Sequence, residues 1–142
     1  FEVKGTLAIM PGMDIGWEST GKGAVILGGR FVEVNTESKP GTKPVVGSKM
    51  VFGFDTRRGE YTMWGIDTFG TYSVSARGSY DAATKTLTLK GTEDEGGRTL
   101  NFRFTYVFGA EGYATDFEME MSAGKWTKAG HWDAKRTPEG AK

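Results

Sequence analysis

Short runs in which apolar and polar residues alternate, each closed by a turn signal, follow one another along this sequence with no helical stretch between them. The clearest is GSYDAATKTLTLKG, Gly78 to Gly91. Asp81-Ala82-Ala83-Thr84 supplies the turn, and Leu87 and Leu89 alternate with Thr86, Thr88 and Lys90. A period of two belongs to a strand with one face buried. Thr99 to Val107 repeats it, with Leu100, Phe102, Phe104 and Tyr106 opposite Thr99, Asn101, Arg103 and Thr105. In Tyr113 to Met121, Phe117, Met119 and Met121 oppose Asp116, Glu118 and Glu120.

Earlier strands read over Phe1 to Ile9 (ended by Pro11-Gly12), Gly16 to Thr20, Ala24 to Leu27, Arg30 to Asn35, Met50 to Phe54, Tyr61 to Asp67 and Thr71 to Ser79, and the last over Lys125 to Lys135. The pattern predicts about nine or ten antiparallel strands joined by short connections. No amphipathic helix covers a sheet face, so the apolar faces must meet one another. An all-β, up-and-down closed barrel satisfies this and removes the edge strands; a two-sheet sandwich is the competing architecture. The longest loop expected is Thr36 to Gly47, with two Pro and two Gly, a candidate lid over one barrel mouth.

The 142 residues predict one domain over 1–136, with 137–142 a frayed tail. Eighteen basic residues balance eighteen acidic ones, which argues against a nucleic-acid partner or attraction to an anionic membrane. No apolar run reaches the length of a membrane-spanning helix. Cys is absent, which removes disulfides, thiolate metal sites and a Cys nucleophile but leaves cytoplasm and periplasm equally open. The sequence opens on Phe1 with strand text, as a trimmed or processed chain would. The 22 Gly are expected mainly in turns, bulges and barrel corners.

Several segments taken in order, Ile26-Leu27-Gly28-Gly29-Arg30-Phe31, Gly53-Phe54-Asp55, Met63-Trp64-Gly65-Ile66-Asp67 and GSYDAATKTL at 78–87, resemble a widespread bacterial family of lipocalin-like barrels of unknown function. The LGGRF element and the family's GTYD-x-x-TKTL element, here with Ser79 at its second position, are the more specific ones. The likeness runs from about Phe1 to Arg136. It implies a calycin-type barrel with a small-molecule cavity and no assigned activity. The N-terminal Gly-x-Trp of lipocalin-like chains is missing, and Arg136 stands where such barrels pack an Arg against their closed end.

No G-x-S-x-G elbow, P-loop or H-E-x-x-H motif is present, and Gly21-Lys22-Gly23 lacks the strand-turn-helix context of a nucleotide loop. With one His and no suggestive carboxylate spacing, no metal site is expected. By parity Met50, Phe52, Phe54, Tyr72, Val74, Leu87, Leu89, Leu100, Phe102, Phe104, Tyr106, Phe117, Met119 and Met121 share an inner face. Aromatics and Met either fill a packed core or line a pocket for flat apolar ligands. Tyr61 to Asp67 is apolar on both faces, so parity does not say whether Met63 or Trp64 points inward. Asp67, at a strand end, is either a turn-former or a rim carboxylate that meets a ligand or acts as a base.

Arg30 shares parity with Val32 and Val34; facing inward it would need a ligand carboxylate or an ion pair with Glu33, Asp67 or Glu118. His131 is the natural acid-base candidate. It faces the cavity if Thr127, Ala129 and Asp133 do, and solvent if Trp126, Gly130 and Trp132 line the interior. Haem-binding barrels similar to nitrobindin use a single His in the last strand, although their glycine-tryptophan signature is not visible here.

These features together point to a monomeric or homodimeric barrel that binds a small apolar or aromatic molecule, with or without a carboxylate. The expected contacts are Arg30, Phe52, Met63, Trp64, Phe104, Tyr106, Met119 and Trp132, with no cofactor required. One alternative is a cofactor-free lyase, isomerase or cyclase that moves a proton through His131 or Asp67. The other is haem binding through His131.

Overall fold

The computed structural model describes residues 1–10, 13–70, 72–95 and 97–137; the side chains of Ile9, Met10 and Glu95 are not described. The expected turn at Pro11-Gly12, the start of a strand at Thr71, Gly96 of the TEDEGG hairpin and most of the C-terminal tail therefore lie outside the described residues. The chain forms β1 (Glu2–Met10), β2 (Met13–Ile26), β3 (Phe31–Ser38), β4 (Ser48–Asp55), β5 (Glu60–Asp67), β6 (Ser73–Asp81), β7 (Thr86–Glu95), β8 (Arg98–Phe108), β9 (Gly112–Ser122) and β10 (Lys125–Lys135). Each strand pairs antiparallel with its neighbours in sequence, and β1 pairs with β10 to close the barrel. Among the described residues every strand is paired on both sides, which leaves no edge to be covered by a helix.

Three strands differ from their expected extents. The two elements expected over Gly16 to Thr20 and Ala24 to Leu27 are one long strand, β2, which bonds to β1 through one half and to β3 through the other. Polar Lys22 and small Gly21 and Gly23 mask that continuity in the sequence. The TEDEGG segment is mostly strand, because β7 continues to Glu95 opposite β8. The expected loop over 36–47 shortens, since β3 runs to Ser38.

The remaining loop is stitched down. Val46 is buried, its N–H donates to Ser38 Oγ, and Ser38 Oγ donates back to the Val46 carbonyl at 2.9 Å. Thr68 holds the other side: its hydroxyl donates to Val45 O at 3.1 Å and accepts from Gly47 N at 3.0 Å.

Inside, Met63, Ala76, Leu87, Leu89, Phe102, Phe104 and Tyr106 form the buried cluster, with Met50, Phe52, Val74, Tyr113, Phe117 and Trp132 packed on it. Gly5 of β1 sits between Trp17 of β2 and Trp132 of β10 in the ladder. A Cβ there would lie 2.6 Å from the Trp17 ring and 2.7 Å from Trp132 Cβ. The missing side chain is therefore what lets the two indoles come within 6.0 Å, centroid to centroid.

At the end formed by the β4–β5, β6–β7 and β8–β9 turns, Phe54, Tyr61, Tyr80, Phe108, Tyr113 and Phe1 follow one another at centroid distances of 5.0 to 6.3 Å. Edge-on and tilted aromatic contacts of this kind gather the rings at that end of the barrel, where Phe54, Tyr61, Tyr80 and Phe108 remain partly exposed. Arg136, expected to pack there, has an exposed side chain, and its backbone N–H bonds to Glu111 O at 2.8 Å.

The outer wall carries ion pairs: Lys4–Glu18 at 2.8 Å, Lys49–Glu33 at 2.9 Å, and Arg103 forked onto Glu118 with its guanidinium 4.6 Å from the Trp126 ring. A polar outer wall around an apolar interior is the inverse of a lipid-facing barrel. Among the described residues no helix is long and apolar enough to cross a membrane.

Candidate functional site

The barrel interior is not completely filled. A cavity of about 340 Å³ runs along its axis, walled by Phe52, Val74, Phe102, Phe104, Tyr106 and Phe117 in the middle and by Val3 and Tyr113 toward the aromatic end. Leu7, Trp17, Val46, Phe69, Tyr72, Leu100 and Met119 line the opposite end, with two carboxylates, Asp67 and Glu93. The mouth is thus formed where β5 meets β6 and where β7 approaches its hairpin. Trp17 meets Phe69 edge-on at 6.1 Å.

Most of the expected ligand-contact residues come together here. Phe52, Phe104, Tyr106, Met119 and Trp132 all line the cavity. Met63 points inward at 2% exposure, just outside the lining, and accepts the Tyr106 Oη–H on its sulfur at 3.5 Å. Trp64 points outward at 44% exposure, between Val51 and Ser75 in the ladder. It flanks a recess of about 770 Å³ on the outer wall that also includes Arg57, Arg77 and Lys90.

Arg30 does not enter. It lies in the Leu27–Arg30 turn, exposed, so the parity argument that linked it to Val32 and Val34 does not apply to it. Leu27, Gly28 and Gly29 adopt positive φ in that turn, and the strand begins only at Phe31. Met121, expected on the inner face, is 69% exposed near the end of β9.

A β-bulge decides the face of His131. The β9–β10 register shifts between Lys128 and Gly130, so that Lys128 opposes Glu118 while Gly130 opposes Phe117. One extra residue, Ala129, reverses the alternation. Trp126 therefore faces out, opposite Glu120, and Trp132 faces in, opposite Thr115, although their even separation puts them on one face of a regular strand.

His131 falls on the outer wall. Its Nδ1 lies 2.6 Å from Asp116 Oδ1, which also takes the Lys128 ammonium, and its Nε2 lies 3.6 Å from Asp133. Burial raises the Asp116 pKa, but the hydrogen bonds from Lys128 and His131 outweigh it and the net shift is downward. An outward imidazole in an ion-pair cluster does not fit haem ligation inside the barrel. Among the described residues no group of His, Cys, Asp and Glu is arranged to hold a metal ion.

The polar atoms of the cavity are few. Thr36 and Ser48 share a 2.8 Å hydroxyl hydrogen bond. Asp67 accepts the Phe69 N–H at 2.8 Å, as a turn-former does, and also lines the cavity. Burial pushes the Tyr106 phenol far above its ordinary value and the Tyr113 phenol up to about 12, which keeps both as neutral hydroxyls.

Ser19 Oγ is buried at 1% residue exposure, has no hydrogen-bond partner among the described residues, and lines the cavity. Thr115 Oγ1 is also unpartnered and buried, between Tyr106 and Trp132 in the ladder, but does not line it.

Trp17, Ser19, Phe69, Glu93 and Tyr113 were not among the expected site residues. Glu93 carried a signal, since it shares parity with Leu87 and Leu89 once the strand is extended. Trp17 and Ser19 alternate in the same way.

No characterised protein matches this sequence in a search of curated proteins. The model of the family described as protein of unknown function (DUF1579) matches residues 9–136, nearly the whole barrel, and the chain belongs to that family.

Proposed function

We propose that the barrel binds a small apolar or aromatic molecule in its interior, one ligand per chain, in the manner that its likeness to lipocalin-like, calycin-type barrels implies. The observation that carries the reading is the axial cavity of about 340 Å³, apolar along its walls and holding the unpartnered Ser19 hydroxyl. A buried hydroxyl without a partner costs about 1–3 kcal/mol, and a ligand atom that accepts or donates there recovers it. Aromatic and Met side chains give the walls the polarisable surface that flat ligands favour.

The lining supports a narrower ligand class than the alternation of the strands alone implies. Among the described residues no Lys, Arg or His lines the cavity, and Arg30 stands away from it in its turn. A ligand carboxylate would have no countercharge and would meet Asp67 and Glu93. For a cofactor-free enzyme, Asp67 and Glu93 are the proton carriers that the mouth offers, with His131 outside.

The test is native mass spectrometry of freshly purified protein followed by calorimetric titration with a neutral aromatic alcohol. A co-purified small mass, or saturable binding that disappears in Val34→Trp, which fills the cavity, is the expected result. Absence of binding by any apolar aromatic probe would overturn the reading.

A further inference from the structure

We infer that the ligand is an amine: its apolar or aromatic body occupies the cavity and its ammonium group sits at the Asp67–Glu93 mouth. This inference rests on the ligand-binding reading and adds the charge of the ligand to it.

Three independent observations point the same way. First, both carboxylates are half-buried and line the mouth of a cavity whose walls are mostly apolar. Among the described residues neither forms an ion pair, whereas Glu18, Glu33, Asp55, Asp116 and Glu118 all do. Carboxylates brought partly out of water beside apolar walls are costly until a cation joins them.

Second, the mouth is aromatic. Trp17, Phe69 and Tyr72 line it together with the two carboxylates, and Trp17 and Phe69 are in edge contact. Ring faces beside carboxylates attract an ammonium through the ring quadrupole as well as through its charge. Third, the Ser19 hydroxyl is buried, unpartnered and part of the same cavity wall. It asks for a ligand hydrogen-bonding group inside the barrel, so the mouth is the outer part of a site that continues inward.

Calorimetric titration with three probes of one shape separates the outcomes: naphthylmethylamine, naphthylmethanol and naphthoate. The amine should bind about tenfold or more tightly than the alcohol, the gain expected of a charge-assisted hydrogen bond, and the naphthoate most weakly. Asp67→Asn keeps an oxygen acceptor for the Phe69 N–H, and Glu93→Gln is a second neutralisation on another strand. The amine-to-alcohol ratio should fall toward one when both are neutralised. Equal binding of the three probes, tightest binding of naphthoate, or an unchanged ratio in the variants would overturn the inference while leaving the binding reading in place. Failure of all three probes to bind would overturn that reading, and the inference with it.

Discussion

Replacing the Thr115 hydroxyl with a methyl group should stabilise the empty barrel. Thr115 is at 0% exposure, and its Oγ1 finds no hydrogen-bond partner among the described residues. In the ladder it stands between Tyr106 of β8 and Trp132 of β10, both directed inward, so its surroundings are aromatic. An unpaired buried hydroxyl costs about 1–3 kcal/mol, and Thr115→Val removes that cost while keeping the β-branched shape that the strand favours. The methyl group that replaces it gains a little from apolar burial, on the order of 0.8 kcal/mol.

The expected gain is therefore about 1–3 kcal/mol, read as a higher urea midpoint at unchanged slope, or as roughly 3 °C in Tm for each kcal/mol in a chain of this size. Ser19→Ala should move stability in the same direction in ligand-free protein, by less, because it also removes volume. The two variants part company on ligand: Ser19 lines the cavity and Thr115 does not, so Ser19→Ala weakens binding about tenfold while Thr115→Val leaves it unchanged. A loss of stability of about 1 kcal/mol or more in Thr115→Val would show that the hydroxyl is satisfied in solution and would refute the reasoning.

Three further outcomes follow from the packing and the charges. Leu89, at 0% exposure in the buried cluster, should cost about 2–5 kcal/mol as Leu89→Ala in urea unfolding. His131→Ala should leave calorimetric ligand affinity unchanged and lower stability by no more than about 1 kcal/mol, since the imidazole sits in a surface cluster on the outer wall. Asp55, held at about 2 by the Arg57 side chain and backbone against some desolvation, has a folded pKa below its ordinary value near 3.8. Its contribution is therefore present above that value and lost as pH falls through about 2. Acid unfolding followed by tryptophan fluorescence should show less stability change across that window in Asp55→Asn than in the parent.

Local alternation determined a good part of this protein. Strand text such as Thr99 to Val107 can bury only one face, and with no helix to cover it the apolar faces must meet one another, as a closed barrel or a two-sheet sandwich allows; the pairing of β1 with β10 decides for the barrel. The same parity places Phe52, Phe104, Tyr106 and Met119 inside without any knowledge of the tertiary structure. Three things lay beyond it, each for a physical reason.

The segment Tyr61 to Asp67 is apolar on both faces, so only pairing with Val51 and Ser75 turns Trp64 outward and Met63 inward. In β10 a single bulge residue reverses the alternation, and a bulge is set by the register with β9 rather than by Ala129 itself. Arg30 looked inward because parity was carried back past the true start of β3, into a turn whose positive φ values end the count.

Charge at the mouth is the last of these. Asp67 and Glu93 are distant in sequence, and their presence on one cavity wall is a property of barrel closure, which brings strand ends together that no local pattern links. Alternation assigns a side chain to a face of its strand; register and closure decide what that face meets.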